Sequence, residues 1–331
     1  MGTDGGFDDF SEFDYLRNTL KNSLNATDIA GGAIRTYWEE IFDNVYFGAV
    51  SWRTIDHGLQ RLADAFGPLL NGRIQFSSWV GKSSFDSATH KVTLSSRNNW
   101  SNETYTDETF DYAVVGVPFS VVRSWKFSPL LPSIINRAVH NMPYISACKV
   151  ALHFKTRFWE HIPLPIYGGC STTDLDVIGS FCYPSYAINS TGPGVLLASY
   201  TRRDACQAHL AYSDAEHADR VLDAIAEIHG EDLVRGEYTG QYARQCWPLD
   251  EYTHGGWADP IPGQHSLYIP EYLKVINGQI FVGEHTSYTH GWIAAAAESA
   301  VRGAVQLLLD LGLVDEAKQI TTDWMERWIT I

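Results

Sequence analysis

Thirty-five residues near the C-terminus, "GQIFVGEHTSYTHGWIAAAAESAVRGAVQLLLDLG" from Gly278 to Gly312, leave few choices of fold. Ile280, Phe281 and Val282 are a compact β-favouring run. Ile293, Ala297, Val301, Val305, Leu308 and Leu311 then recur at spacings of three and four, which predicts a long helix with that stripe turned inward. Glu298 and Arg302 stand four apart in the favourable order on the opposite face, and Gly312 supplies the stop. The segment Gly283–Gly291 therefore reads as a strand-to-helix crossover that ends at a helix N-terminus. Such an end offers unpaired N–H groups and a partial positive charge, which suit an anion or an electron-rich ring edge.

The rest of the chain supplies the layers around this unit. Residues 8–48 read as helical, with an apolar stripe through Ile34, Trp38, Ile41 and Val45. "SWRTIDHGLQRLADAFGPLL" reads as a turn feeding an amphipathic helix. Strands follow at "RIQFSSWVGKSSF", "KVTLSS" and "DYAVVGVP", the last an apolar run expected of a strand buried on both faces. Three more strands are predicted at "ACKVALHF", "GSFCYPS" and "GVLLASY", then a helix at "DAEHADRVLDAIAEIHG" and a strand plus loop at "GEYTGQYARQCWPLDEYTHGGW". The expected class is mixed α/β: part of a nucleotide-type sheet, a separate antiparallel substrate sheet, and a helical N-terminal remnant. The expected divisions are 1–50 (helical remnant), 51–145 (cofactor domain), 146–260 (substrate domain), 261–312 (cofactor domain again) and 313–331 (helical tail).

Bulk properties exclude several functions. A net charge of −15 with no offsetting basic block argues against binding nucleic acid through phosphates, or an anionic membrane surface. No apolar run approaches a transmembrane helix, since Val305–Leu313 is short and interrupted by Gln306 and Asp310. The five cysteines are odd in number and lack CxxC spacing, so buried or free thiols are expected rather than a zinc site or a disulfide scaffold. His285 and His290, five apart across a turn, lack a third nearby metal ligand. Sequons at Asn25, Asn99, Asn102 and Asn189 permit secretion, while "MGTDGGFDDF" has no apolar signal core. The patterns GxSxG, HExxH, GxxxxGK[ST] and GxGxxG are all absent.

"GQIFVGEHTSYTHGWIAAAAESAVRG" resembles the C-terminal flavin segment of the flavin-containing amine oxidases, and most of all the fungal L-amino-acid oxidases. "WRTIDHGLQRLADAF", "DYAVVGVPFSVVRSWKFSPLLP", "CKVALHFKTRFWE", "GGCSTTDLDVIGSFCYPSY" and "QCWPLDEYTHGGW" resemble further segments of the same family. The likeness covers nearly all of residues 50–312. The family's opening GxGxxG turn and its early carboxylate-gripping Arg have no counterpart here, so the chain is similar to the C-terminal portion of such an oxidase.

The resemblance implies FAD as cofactor and a role for each matching residue. Glu284 would accept hydrogen bonds from FAD hydroxyls near the ribityl chain. Backbone N–H groups from Gly291 through Trp292, Ile293, Ala294, Ala295 and Ala296 would face the flavin's pyrimidine edge. Val80 would hold the adenine end through its backbone. Trp292 would be one wall of an aromatic cage, with Trp247 as a supporting aromatic, although core packing is the plainer reading of any one Trp among eleven. Tyr183 would bind the substrate carboxylate, against the plainer reading of a satisfied core tyrosine. Lys149, set among apolar neighbours, would sit beside the flavin and assist oxygen chemistry and imine hydrolysis.

The implied reaction takes an L-amino acid, O₂ and water to a 2-oxo acid, ammonia and hydrogen peroxide. The alternatives are a monoamine or polyamine oxidase, or a non-catalytic fragment that cannot hold FAD alone. A homodimer, or association with a separate N-terminal chain, remains open at this level.

Overall fold

The computed structural model describes residues 8–24, 37, 41, 47, 48, 51 and 53–324. Most of the helix expected around Ile34–Val45 lies outside the described residues. The chain forms two units, one of residues 1–143 and 257–331, the other of residues 144–256. The architecture is mixed α/β, as the alternation of strand and helix patterns implied.

In the first unit, β1 (Trp79–Asp86) lies between β2 (Lys91–Arg97), antiparallel, and β5 (Lys126–Ser128), parallel, with β3 (Thr106–Phe110) outside β2. Neither β3 nor β5 was foreseen. β3 carries no apolar alternation ("TDETF"), and β5 is only three residues long. A second sheet pairs β4 (Ala113–Val115) parallel with β11 (Gln279–Phe281). The buried Ser83 hydroxyl of β1 donates to Gln279 Oε1 at 2.9 Å, tying the two sheets. β4 was expected to be buried on both faces, and it is not. Val114 is 55% exposed, because among the described residues β4 pairs with β11 alone and the Ala113 and Val115 side is the covered one.

Among the helices of this unit, α1 (Ser133–Asn141) precedes the second unit. α3 (Gln264–Tyr272), α4 (Ile293–Asp310) and α5 (Val314–Trp324) follow it. The helix expected after "SWRTIDHG" is short, Gln60–Asp64.

The phase of α4 differs from the apolar stripe read in its sequence. Its buried residues are Ala295, Ser299, Arg302, Gly303, Val305 and Gln306, while Ile293 is 56% exposed. Close approach decides the face. A Cβ on Gly303 would stand 2.6 Å from Val282 Cγ1, so only glycine lets the helix lie this near β11. Arg302, expected on the solvent side, is buried because every direction it points in has an acceptor. Its guanidinium donates to Tyr272 O (2.7 Å), Phe281 O (3.1 Å), Thr286 Oγ1 (2.6 Å) and Gln306 Oε1 (2.8 Å). Burial pulls its pKa down to about 10, so it stays charged at neutral pH.

The second unit is a five-stranded antiparallel sheet in the order β10 (Tyr238–Cys246), β6 (Ala147–Phe154), β9 (Gly194–Arg202), β8 (Ser180–Cys182), β7 (Cys170–Thr172). Alternation on β6 sends Cys148, Val150, Leu152 and Phe154 into the core and leaves Lys149, Ala151 and His153 half-buried on the other face. α2 (Asp214–His229) packs Val221, Leu222 and Ile225 into that core.

The cysteines are not all free thiols. Cys148–Cys246 and Cys170–Cys182 are disulfides, and Cys206 is a buried free thiol. Sequence spacing missed these bridges because each joins register partners on neighbouring antiparallel strands, β6 with β10 and β7 with β8.

Candidate active site

The crossover begins where β11 hands over to Gly283, whose φ of 120° excludes other residues and whose missing side chain makes room for the His285 ring. Gly283 N–H donates to Ser299 Oγ at 2.7 Å, fastening the turn to the second turn of α4. A short 3₁₀ turn, Glu284–Thr286, follows. His285 packs on Phe119, with ring centroids 4.3 Å apart. Burial drives its pKa down to about 4, so the ring is neutral, and its Nε2 has no hydrogen-bond partner among the described residues.

Glu284 is anchored by protein donors. Ala258 N–H donates to Oε1 (3.0 Å), while Gly291 N–H (3.2 Å) and His290 Nδ1 (3.3 Å) meet Oε2. Burial alone would raise its pKa. The hydrogen bond and charge of His290, with help from His285 and the Ala258 amide, outweigh burial and hold it below the usual value. An ionised carboxylate has about four acceptor sites, so three donors leave it one more.

Among the described residues the helix tip itself is uncapped. The N-cap of α4 is Trp292, which makes no side-chain cap, and the first turn carries no acidic residue. The first intrahelical bond is Ala296 N–H to Trp292 O. Ile293, Ala294 and Ala295 therefore present amide donors with no partner inside the helix. Ile293 and Ala294 are exposed, and Trp292 is half-buried with its ring edge-on to Phe47 at 5.5 Å. Gly291 and Ala296, expected to share this donor role, spend their N–H groups on Glu284 and Trp292.

In the second unit, Lys149 Nζ lies 4.6 Å from the Tyr200 ring centroid and 5.6 Å from that of Trp247. No carboxylate pairs with it among the described residues. Burial lowers its pKa, and the two rings supply cation–π stabilisation instead of an ion pair. Trp247, half-buried, opens the 3₁₀ turn Trp247–Leu249 directly after the disulfide-bonded Cys246.

Tyr183 is not beside this pair. It is 6% exposed within the core of its unit, and its hydroxyl meets His229 Nε2 at 2.6 Å. Burial pushes its pKa up to about 12. Val80 sits in β1 beside a register shift opposite β2, and β5 pairs only with Lys82–Ser84, leaving Val80 outside that pairing.

The structure thus gathers Glu284, Gly291, Trp292 and Ile293–Ala296 in the first unit, and Lys149 with Trp247 in the second. Sequence reading missed Ala258, His265, Asp8, Ser299 and Arg302. The last two left a signal, as polar residues at helical spacing on what proves to be the buried face. No group of three or more His, Cys, Asp or Glu among the described residues could hold a metal. Nor is any described helix long and apolar enough to cross a membrane.

Residues 16–308 match the family model described as flavin containing amine oxidoreductase. The chain belongs to that family. It is 50% identical over 98% of its length to an L-amino-acid oxidase of Neurospora crassa, and covers 47% of that protein. It is 33% identical over 81% of its length to a putative L-amino-acid oxidase of Bacillus subtilis, covering 55% of that protein. The chain therefore spans about half the length of the curated relatives it matches. Among solved structures, a putrescine oxidase variant aligns with 94% of the chain and 70% of its own at a TM-score of 0.72. A cyclohexylamine oxidase of Brevibacterium oxydans aligns with 76% and 52% at 0.59. At 14% and 17% identity these two bear on the fold alone.

The cofactor of this flavin-containing family is FAD. The residues present fit a flavin. The α4 tip offers amide donors, its first turn beyond Ile293 is a run of alanines with little bulk, and Glu284 keeps one acceptor site free.

Proposed function

We propose that this chain carries cofactor- and substrate-binding portions of an L-amino-acid oxidase, a FAD enzyme that converts an L-amino acid, water and O₂ to a 2-oxo acid, ammonia and hydrogen peroxide. The carrying observation is the open N-terminus of α4 beside an anchored, ionised Glu284. The likeness to L-amino-acid oxidases, extending across nearly the whole chain, supplies the substrate class.

Bound at this tip, the flavin would supply two-electron chemistry, taking a hydride from the substrate Cα. The amides of Ile293, Ala294 and Ala295 act by stabilising negative charge at the ring edge they face, already oriented and with nothing to reorganise. Glu284 accepts from a cofactor hydroxyl and fixes its position. Trp292 bounds the space in front of the tip and excludes water. Lys149, with no carboxylate partner among the described residues and eased toward its neutral form by burial, holds or releases a proton at Nζ during oxygen and imine chemistry. Val80 contributes backbone donor and acceptor groups toward the adenine end.

The test is direct. Purified protein, as isolated or after incubation with FAD, should show flavin absorbance and release peroxide with a panel of L-amino acids but not with simple amines. A colourless protein that takes up no FAD would overturn the reading in favour of a non-catalytic fragment. Turnover of amines alone would move it to the monoamine and polyamine oxidases.

A further inference from the structure

Behind Glu284 runs a line of buried titratable groups that the proposed chemistry does not use. Glu284 Oε2 meets His290 Nδ1 at 3.3 Å, His290 Nε2 meets His265 Nε2 at 2.9 Å, and His265 Nδ1 meets Asp8 Oδ1 at 3.2 Å. The two imidazole planes are only 20° apart and their centroids 5.2 Å apart, which suits an in-plane hydrogen bond between facing Nε2 atoms. Asp8, His265 and His290 are 1%, 3% and 4% exposed. Both ends are fixed by backbone donors. Ser266 N–H, in the first turn of α3, donates to Asp8 Oδ2 (2.9 Å), and Gly291 and Ala258 N–H hold Glu284. Asp8 thereby caps α3 from a distant part of the chain.

Counting protons along this line gives an odd result. Each of the three hydrogen bonds needs one proton between its heavy atoms. Two neutral imidazoles bring two, so with both carboxylates ionised a third must be present. We propose that Asp8, His265, His290 and Glu284 form one relay holding a single surplus proton, and that Asp8, His265 and His290 are positioning residues that keep Glu284 ionised and aimed. The relay then carries two negative ends and one positive middle. Burial would raise both carboxylates, and the hydrogen bonds and charge of the facing imidazole, His265 on Asp8 and His290 on Glu284, hold them below their usual range. Among the described residues, the charged or titratable groups near the Glu284 end include His285 of the same crossover, kept neutral by burial, and Arg302 of α4, whose guanidinium is committed to Thr286 and carbonyl groups. Neither can replace the surplus proton on Oε2. The consequence for the cofactor rests on the proposed role of Glu284. The proton count does not.

The test uses the full chain labelled with ¹⁵N-histidine, without added flavin, at pH 7. His265 and His290 are assigned by the signals lost in His265→Gln and His290→Gln. Three ring N–H protons over the two rings, with both Nδ1 atoms protonated, are expected. Glu284→Gln should reduce the count to two by removing the charge that retains the third. Two N–H protons in the unsubstituted protein would overturn the relay, as would an unchanged count in Glu284→Gln. If a glutamine variant fails to fold, a neutron structure of the unsubstituted protein counts the same protons.

The second readout is FAD affinity. His265→Gln touches Glu284 only through His290, yet should weaken FAD binding by roughly tenfold, the size of one pKa unit of differential interaction. Unchanged affinity would overturn the positioning role. Failure of the unsubstituted protein to bind FAD would sink the proposed function while leaving the proton count intact.

Discussion

Two helices of this protein begin in opposite ways. α2 opens with a complete capping box. Ser213 Oγ accepts from Glu216 N–H at 3.3 Å, and Glu216 Oε2 accepts from Ser213 N–H at 2.9 Å. Asp214 and Glu216 add negative charge to its first turn. Its far end is closed too, by Gly230 at the C-cap with its N–H on Ala226 O, and His229, its last residue, meets the Tyr183 hydroxyl. α4 opens on Trp292 with no side-chain cap and no acid in its first turn. A missing cap forgoes about 1 kcal/mol. A helix whose only task is to cover a sheet has no reason to leave its first amides unsatisfied. One whose amides serve a ligand does. The buried faces differ in the same sense. α2 buries Val221, Leu222 and Ile225, whereas α4 buries Ser299, Arg302, Gly303 and Gln306, which lock the crossover in place.

The harshest way to break this contrast is to remove the anchor beneath the open tip. Glu284→Ala removes the acceptor that Ala258 N–H, Gly291 N–H and His290 Nδ1 share. Breaking a buried charged cluster of this kind costs about 3–5 kcal/mol. Chemical denaturation should show that loss, and flavin absorbance should disappear from the purified variant. A variant that melts like the unsubstituted protein and stays yellow would mean that the crossover is held by something else.

Acid should strike both helices through neutral histidines. His285 beneath the α4 tip and His217 on α2 both have pKa values pulled down to about 4, by burial first, and the latter also by Arg244, whose Nε donates to His217 Nδ1 at 2.9 Å. In the unfolded chain each titrates near 6.5. Between those values the unfolded state binds the proton and the folded state does not, so stability is full above 6.5 and falls as pH drops toward 4. The drop is about 3 kcal/mol for each histidine. Urea midpoints measured from pH 7 to pH 4 should fall steeply. His285→Phe and His217→Phe should each flatten part of the slope.

How much of this contrast the sequence disclosed follows from what periodicity can report. Strand β6 was read at its observed limits because Cys148, Val150, Leu152 and Phe154 alternate cleanly with Lys149, Ala151 and His153. The existence of α4 was equally clear from its apolar spacing. Its buried face was not, because the stripe through Ile293 and Ala297 measures hydrophobicity, while contact with β11 selects for small size at Gly303 and for hydrogen-bonding reach at Arg302. The disulfides and the Asp8–His265–His290–Glu284 line escaped for another reason. They join residues remote in sequence whose meeting depends on strand register and loop placement, which no local pattern encodes.

Tyr183→Phe sharpens the contrast at the closed end of α2. The resemblance assigns this hydroxyl to a substrate carboxylate, whereas the structure seats it in the core against His229. If it serves the core, removing it leaves a half-buried imidazole nitrogen unpaired. Stability should fall by about 1–3 kcal/mol, with KM for the amino acid unchanged. A KM that rises tenfold or more with little loss of stability would return the hydroxyl to the substrate.

The smallest effect tests the helix starts themselves. Ser213→Ala removes the α2 cap and should cost about 1 kcal/mol, visible as a shifted denaturation midpoint, with FAD retention untouched. The converse change, Trp292→Ser, offers α4 the cap it lacks. A serine hydroxyl there would accept from the amide of Ala294 or Ala295, the donors the flavin edge is proposed to use. FAD should then be lost more readily on dilution, even where the gained cap makes good the lost tryptophan packing in the melting curve. The two changes separate a helix end that is merely capped from one held open. If Trp292→Ser tightens FAD retention, or Ser213→Ala weakens it, the open end of α4 has no special role and the contrast between the helices is only one of sequence.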